Sequence, residues 1–145
     1  MGYYVETVGD VADQVFFIPR EKFDEAYKAL CELNNHNELK SGGSFPRTEN
    51  VKGKHKSYNF SWMDWNYDET CKDLVEVLEE VGFDVYQNDT GIIGLEFDSK
   101  RGDEKEFLKA LAPFVKDGSY LPFKGEKGEC WDYSFHKGKM REVHY

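Results

Sequence analysis

The chain is short of nearly everything that would staple it, anchor it or label its chemistry. Its three cysteines, Cys31, Cys71 and Cys130, lie far apart and form no CxxC pair. An odd count suits no closed disulfide framework, so the expectation is three structural thiols in a reducing cytoplasm. No stretch approaches the roughly 18 apolar residues that a membrane span needs. The first residues lack the basic start and apolar core of an export signal, and Val5-Glu6-Thr7 fits poorly the acylation motif that Gly2 would open. No GxGxxG, P-loop or GxSxG occurs, and Gly91-Ile92-Ile93-Gly94 reads as part of a hairpin rather than a phosphate cradle. The histidines, His36, His55, His136 and His144, show no HxH, HxxxH or HExxH spacing, and none pairs locally with a cysteine. These absences predict no catalytic residue, no metal, no cofactor and no membrane partner.

What is present is aromatic and acidic. With 11 Phe, 9 Tyr and 3 Trp in 145 residues, the chain cannot be a disordered acidic tail, which would lack such residues. One domain of this length buries roughly 70% of its unfolded surface and needs no staple. The net charge of −9 is unevenly spread. Between His36 and Tyr58, five basic residues (Lys40, Arg47, Lys52, Lys54, Lys56) face two acids (Glu38, Glu49). That surplus of three leaves −12 on the rest, so the chain is an acidic body with one basic loop, residues 36–57. Pairing of this loop with the body's own acids is one expectation, and net repulsion from nucleic acid is another.

Apolar periodicity sets the elements. Tyr3, Val5 and Thr7 alternate with Tyr4, Glu6 and Val8, and Val15 to Ile18 follows beyond Gly9-Asp10, which predicts two strands joined by a turn. Phe23, Ala26, Tyr27, Leu30 and Leu33 are spaced as one helix face. Tyr58, Phe60 and Trp62 alternate with Asn59, Ser61 and Met63, which returns the chain to the sheet with Trp62 on its inner side. A second helix is expected from Asn66, capped with Glu69, through the stripe Cys71, Leu74, Val75, Leu78 and Val81 to Gly82. A hairpin follows over 83–97. A third helix starts near Asp103, capped by Glu106, and a second hairpin over 119–136 carries Trp131, Tyr133 and Phe135 on one face. A last strand covers 140–144. The predicted fold is α+β, a mixed and mostly antiparallel sheet with three helices on one face. Residues 66–100 and 103–138 are related by a shift of 36, Cys71 to Phe107 and Leu95 to Trp131 among others, which suggests a tandem αββ repeat. Such a sheet keeps an open face or groove.

Two stretches carry candidate binding residues. Around Trp65, the run Phe60 to Asp68 concentrates aromatics beside Asp64 and Asp68, suited to a ligand or partner pocket. On the second helix Glu69, Asp73, Glu76 and Glu80 fall at spacings of 4, 3 and 4, within about 60° of one another at 100° per residue. A carboxylate row of this kind steers encounter with a basic surface. Its bland alternative is a solvated helix face. A second possibility is a small-ligand binder or enzyme that uses an aromatic groove on the sheet, with Trp65, Asp64 and His136 as contacts.

Four segments extend these readings: Met1-Gly2-Tyr3-Tyr4, the stretch Asp24 to Asn34 (DEAYKALCELN), Phe60-Ser61-Trp62-Met63-Asp64, and Leu111 to Tyr120 (LAPFVKDGSY). Together they resemble a group of small uncharacterised proteins of bacteria and their phages and plasmids. The resemblance implies no catalytic residues. It implies a setting, an accessory protein carried on mobile DNA that binds and blocks a host defence protein.

Overall fold

Most of the period-2 segments form strands of one sheet. In a computed structural model, residues 2–44 and 51–145 are described; Met1, Arg47 and Glu49, all named above, lie outside them. Strands β1 (Tyr4–Thr7), β2 (Ile18–Pro19), β5 (Phe83–Asn88), β6 (Gly91–Lys100), β7 (Tyr120–Gly125), β8 (Cys130–His136) and β9 (Lys139–His144) form one sheet. The short β3 (Gly42–Gly43) and β4 (Tyr58–Asn59) pair separately. Helices α1 (Phe23–Leu33), α2 (Tyr67–Thr70), α3 (Leu74–Val81) and α4 (Glu104–Leu111) complete the α+β fold. Every strand pairing among the described residues is antiparallel.

The ten-residue β6 organises the sheet. β5 lines one of its edges, while β1 and β2 lie end to end along the other. The two segments expected to form the first hairpin therefore do not pair with each other. Residues 8–17 loop out between them, and side chains fill the gap they leave. Leu95 N–H donates to Gln14 Oε1 (2.9 Å), and Gln14 Nε2 donates to the Leu95 carbonyl (2.7 Å). The Gln14 amide thus replaces a strand residue in the ladder, as buried backbone groups need partners. Beyond β1 the order runs β7, β8, β9, so the helix–hairpin order occurs twice, as α3-β5-β6 and α4-β7-β8, with β1 between the hairpins.

The helices pack on one face of this sheet. Leu30 of α1, Leu78 of α3 and Phe107 of α4 meet Phe83, Phe97, Phe123, Trp131, Tyr133 and Phe135 of the strands in one core. Burying each such side chain contributes about 1.5–3 kcal/mol. The opposite face is open to solvent, with Tyr4, Tyr86 and Tyr120 exposed on it. No helix among the described residues is long and apolar enough to cross a membrane. Cys31, Cys71 and Cys130 are unbridged.

Two helix boundaries differ from the sequence reading. The stretch from Asn66 to Val81 is broken: Cys71 and Asp73 adopt extended backbone between α2 and α3. Tyr27 Oη donates to the Cys71 carbonyl (2.6 Å), and the Asp73 side chain starts a new helix by accepting from Glu76 N–H (2.9 Å). The cap sits at Asp73 rather than Asn66. α3 ends at Gly82 as expected, its φ of +121° being one that few side-chain-bearing residues adopt. At α4, Glu106 N–H bonds to the Asp103 backbone carbonyl, while the Asp103 side chain turns away to other partners.

Candidate functional site

The segment from Phe60 to Asp68 folds as successive tight turns, with Met63 N–H donating to the Phe60 carbonyl (2.8 Å) and Tyr67 N–H to that of Asp64 (3.2 Å). Phe60, Met63 and Tyr67 are buried, whereas Trp62 is 51% exposed and Trp65 36%. Trp62, expected on the inner side of a strand, points outward for a local reason. Ser61 is in the left-handed region (φ +46°), which breaks the alternation after Phe60 and turns Met63 inward in its place.

A buried carboxylate holds that strained turn. Asp103 Oδ2 accepts from Ser61 N–H (2.7 Å), from Ser41 N–H (3.2 Å) and from the Ser41 hydroxyl (2.8 Å). In return Asp103 N–H donates to Ser61 Oγ (2.6 Å). Gly102 is required beside this knot, because a Cβ there would collide with the Ser61 hydroxyl and press on the Trp62 ring. Backbone strain of this kind is kept where the surroundings over-determine it, and here it presents a tryptophan.

The basic loop supplies the second support. Lys54 Nζ bonds Asp68 Oδ2 (3.1 Å) and Glu69 Oε1 (2.8 Å) and lies 5.8 Å from the Trp65 ring centre. Its bond to Glu69 raises the lysine above its ordinary pKa, with Asp68 adding to the effect against partial desolvation. Asn34, 1% exposed, donates to the Trp65 carbonyl (2.9 Å) and to Asp68 Oδ1 (2.8 Å), while its own Oδ1 is buried without a partner. The buried Lys40 donates to the Asn34 carbonyl (2.7 Å) and to Asn37 Oδ1 (2.8 Å). Asn37 in turn donates to the carbonyls of Val51 and Gly53. Among the described residues of the loop, Lys54 thus pairs with acids of the body, the alternative anticipated from the loop's charge, and Lys40 with its amides.

The candidate acids are dispersed by the helix break. Asp68 and Glu69 are engaged by Lys54, and Asp73 is a helix cap. Glu76 accepts from Lys72 N–H (2.9 Å) through Oε1, so it also serves the start of α3. The predicted four-carboxylate row does not lie on one helix. A different group forms instead: Asp64, Glu76, Glu79 and Glu80 line a hollow of about 360 Å³ with Thr70 and Cys71. Burial pushes the Cys71 thiol up to about 11, so it stays neutral there. Among the described residues no three His, Cys, Asp or Glu side chains converge on a metal-holding group. Asp64 and Trp65 lie off the open sheet face, and His136 is exposed elsewhere, 3.6 Å from Asp117. The structure does not gather these three into one groove.

Sequence reasoning missed Trp62, Glu79 and the buried network of Asn34, Lys40 and Asp103. The adjacency of Trp62 to Asp64 and Trp65 was a usable signal; a polar residue destined for burial carries none. No family model matches this chain, and comparison with curated proteins and with solved structures returns no match.

Proposed function

We propose that this chain is a non-enzymatic binding protein that docks a basic protein partner through Trp62, Trp65 and the carboxylates beside them. One observation carries the reading: two exposed tryptophans, Trp62 beside the left-handed Ser61 and Trp65 beside the Asn34–Lys54–Asp68 contacts, flank Asp64 in the chain, and Asp64 shares a hollow with Glu76, Glu79 and Glu80. Tryptophan is enriched among the few residues that dominate binding energy, and a surface fixed before binding avoids the entropy of ordering it. The carboxylates select a partner of opposite charge and speed encounter. In the setting that the resemblance implies, the partner is a host defence protein and the binding is inhibitory. Three unbridged thiols support a reducing cytoplasm as its place of action.

The test is native mass spectrometry of tagged protein purified from nuclease-treated bacterial lysate, with two variants in parallel. One carries Trp62→Ala and Trp65→Ala; the other reverses Asp64, Glu76, Glu79 and Glu80 to Lys. A partner held stoichiometrically by the parent and lost from both folded variants supports this face. Retention by both sinks it.

A second reading rests on one feature. A hollow of about 400 Å³ on the open sheet face, lined by Tyr4, Glu6, Asp98 and Lys124, is in the size range of small-ligand pockets. A ligand there would raise the melting temperature by mass action, and mutation of Tyr4 would abolish the rise.

A further inference from the structure

Three arginines lie among the described residues, and they are held in three different ways. Arg20 is a staple: Nε donates to the Asp89 carbonyl (3.1 Å) and Nη2 to Gln87 Oε1 (3.2 Å), fixing the β5–β6 turn. Arg141 is exposed on the outer strand β9. Arg101 combines fixed placement with unspent donors. Its N–H donates to the Tyr3 carbonyl (2.6 Å), extending the β1–β6 ladder. Its Cζ lies 5.2 Å from the Tyr3 ring centre and 5.0 Å from that of Trp131.

Neither ring is free to yield. Trp131 is buried and stacks with Phe123 (5.9 Å) and His144 (5.7 Å). The Tyr3 hydroxyl bonds Glu129 and accepts from Lys127 N–H (3.4 Å). Yet among the described residues no acceptor takes the guanidinium N–H groups, in a hydrogen bond or an ion pair. The two acids that feel its charge are engaged elsewhere. Glu104 Oε1 accepts from Gly102 N–H (2.7 Å), and Glu129 Oε1 from Lys127 N–H (3.2 Å).

We propose that Arg101 is a preorganised receptor for a single carboxylate. The planar guanidinium presents paired N–H groups that match the two oxygens of a carboxylate, and on this exposed residue the Tyr3 and Trp131 rings flank it at 5.2 and 5.0 Å, which restricts its placement before binding. A carboxylate fits better than a phosphate because Glu104, Glu129 and Glu142 lie around the stack and the chain carries −9. A dianion meets more repulsion there than a monoanion does. The inference does not depend on the tryptophan face, because it is tested with small molecules alone.

The test follows the side-chain Nε–Hε resonances of the full-length protein by NMR at constant ionic strength. The probes are acetate, a blocked dipeptide with a free C-terminal carboxylate, the same dipeptide as its amide, and inorganic phosphate. The expected result is a saturable shift at Arg101 with both carboxylates, none with the amide, and a smaller, linear response at Arg141. Tighter binding of the dipeptide acid than of acetate assigns the site to a chain end of a partner; equal binding assigns it to small carboxylates. Arg101→Lys keeps the charge but loses the fork and should weaken binding about tenfold or more, read from the Trp131 indole resonance. Three results overturn the proposal, the first two without any variant: no saturation by about 0.1 M acetate, or phosphate binding more tightly than acetate. The third is undiminished binding by folded Arg101→Lys.

Discussion

Strands β7 and β8 are fixed by apolar side chains at alternate positions, whereas the stretches 34–41 and 61–68 are held largely by buried polar ones. In the strands, Leu121, Phe123, Trp131, Tyr133 and Phe135 all face one core and overlap in their contacts. In the two stretches, Asn34, Asn37 and Lys40 form one set of directed bonds that ties loop to helix, and Asp103 with Ser41 and Ser61 forms a second that ties loop to turn. Apolar contact is non-directional and partly redundant, so it tolerates replacement by shapes of similar volume. A buried polar network has no such tolerance, because removing one member strands its partner. The molecule uses the first for its scaffold and the second to hold the surface that carries Trp62 and Trp65.

Truncation and conservative replacement should separate the two regions. Phe123→Ala removes a ring packed against Phe97, Trp131 and Tyr133 and should cost about 3–5 kcal/mol in urea unfolding. Phe123→Leu should cost under about 1.5 kcal/mol. Asp103→Ala should cost about 2–4 kcal/mol, because Ser41 and Ser61 each lose an acceptor. It should also alter Trp62 fluorescence, as the left-handed Ser61 loses its restraint. An Asp103→Ala cost within about 0.5 kcal/mol, the range of surface changes, would refute a polar scaffold for these stretches. Lys40→Met comes next, at about 1–3 kcal/mol, since it unpairs the Asn34 carbonyl and Asn37 Oδ1.

The same division explains what the sequence revealed. Trp131, Tyr133 and Phe135 declared a buried face by period-2 spacing, and the α1 stripe did so by its 3.6 period, so both hairpins and that helix were legible. The failures lie where a side chain does a backbone's work. Gln14 replaces a strand residue, Asp73 restarts a helix, and Asp103 holds Ser61 in a conformation that reverses Trp62 and Met63. None of these leaves a periodic trace, because each depends on a partner tens of residues away or on one bond. Of the candidate site, Trp65 and Asp64 stood out by composition, and Glu76 and Glu80 by helical spacing on a helix that proved to be broken. Trp62 was lost for the sake of an alternation that ends one residue before it.

The smallest effect concerns Lys54, where the two kinds of support meet the proposed docking face. It is half-buried between Asp68 and Glu69, so Lys54→Ala should cost only about 0.5–1 kcal/mol and less in high salt. Its folded pKa is raised by the Glu69 bond, so its contribution is complete below the ordinary lysine pKa of about 10.4. That contribution is lost as pH rises through the higher folded value. Urea unfolding at neutral and strongly alkaline pH should therefore show the gap between parent and variant closing at the alkaline end. Binding should move in the opposite direction from stability. Without Lys54, Asp68 and Glu69 turn their full charge toward solvent beside Trp65, and association with a basic partner should be faster at low salt. An unchanged association rate would place the partner's charge away from Trp65, at the hollow of Asp64, Glu76, Glu79 and Glu80 alone.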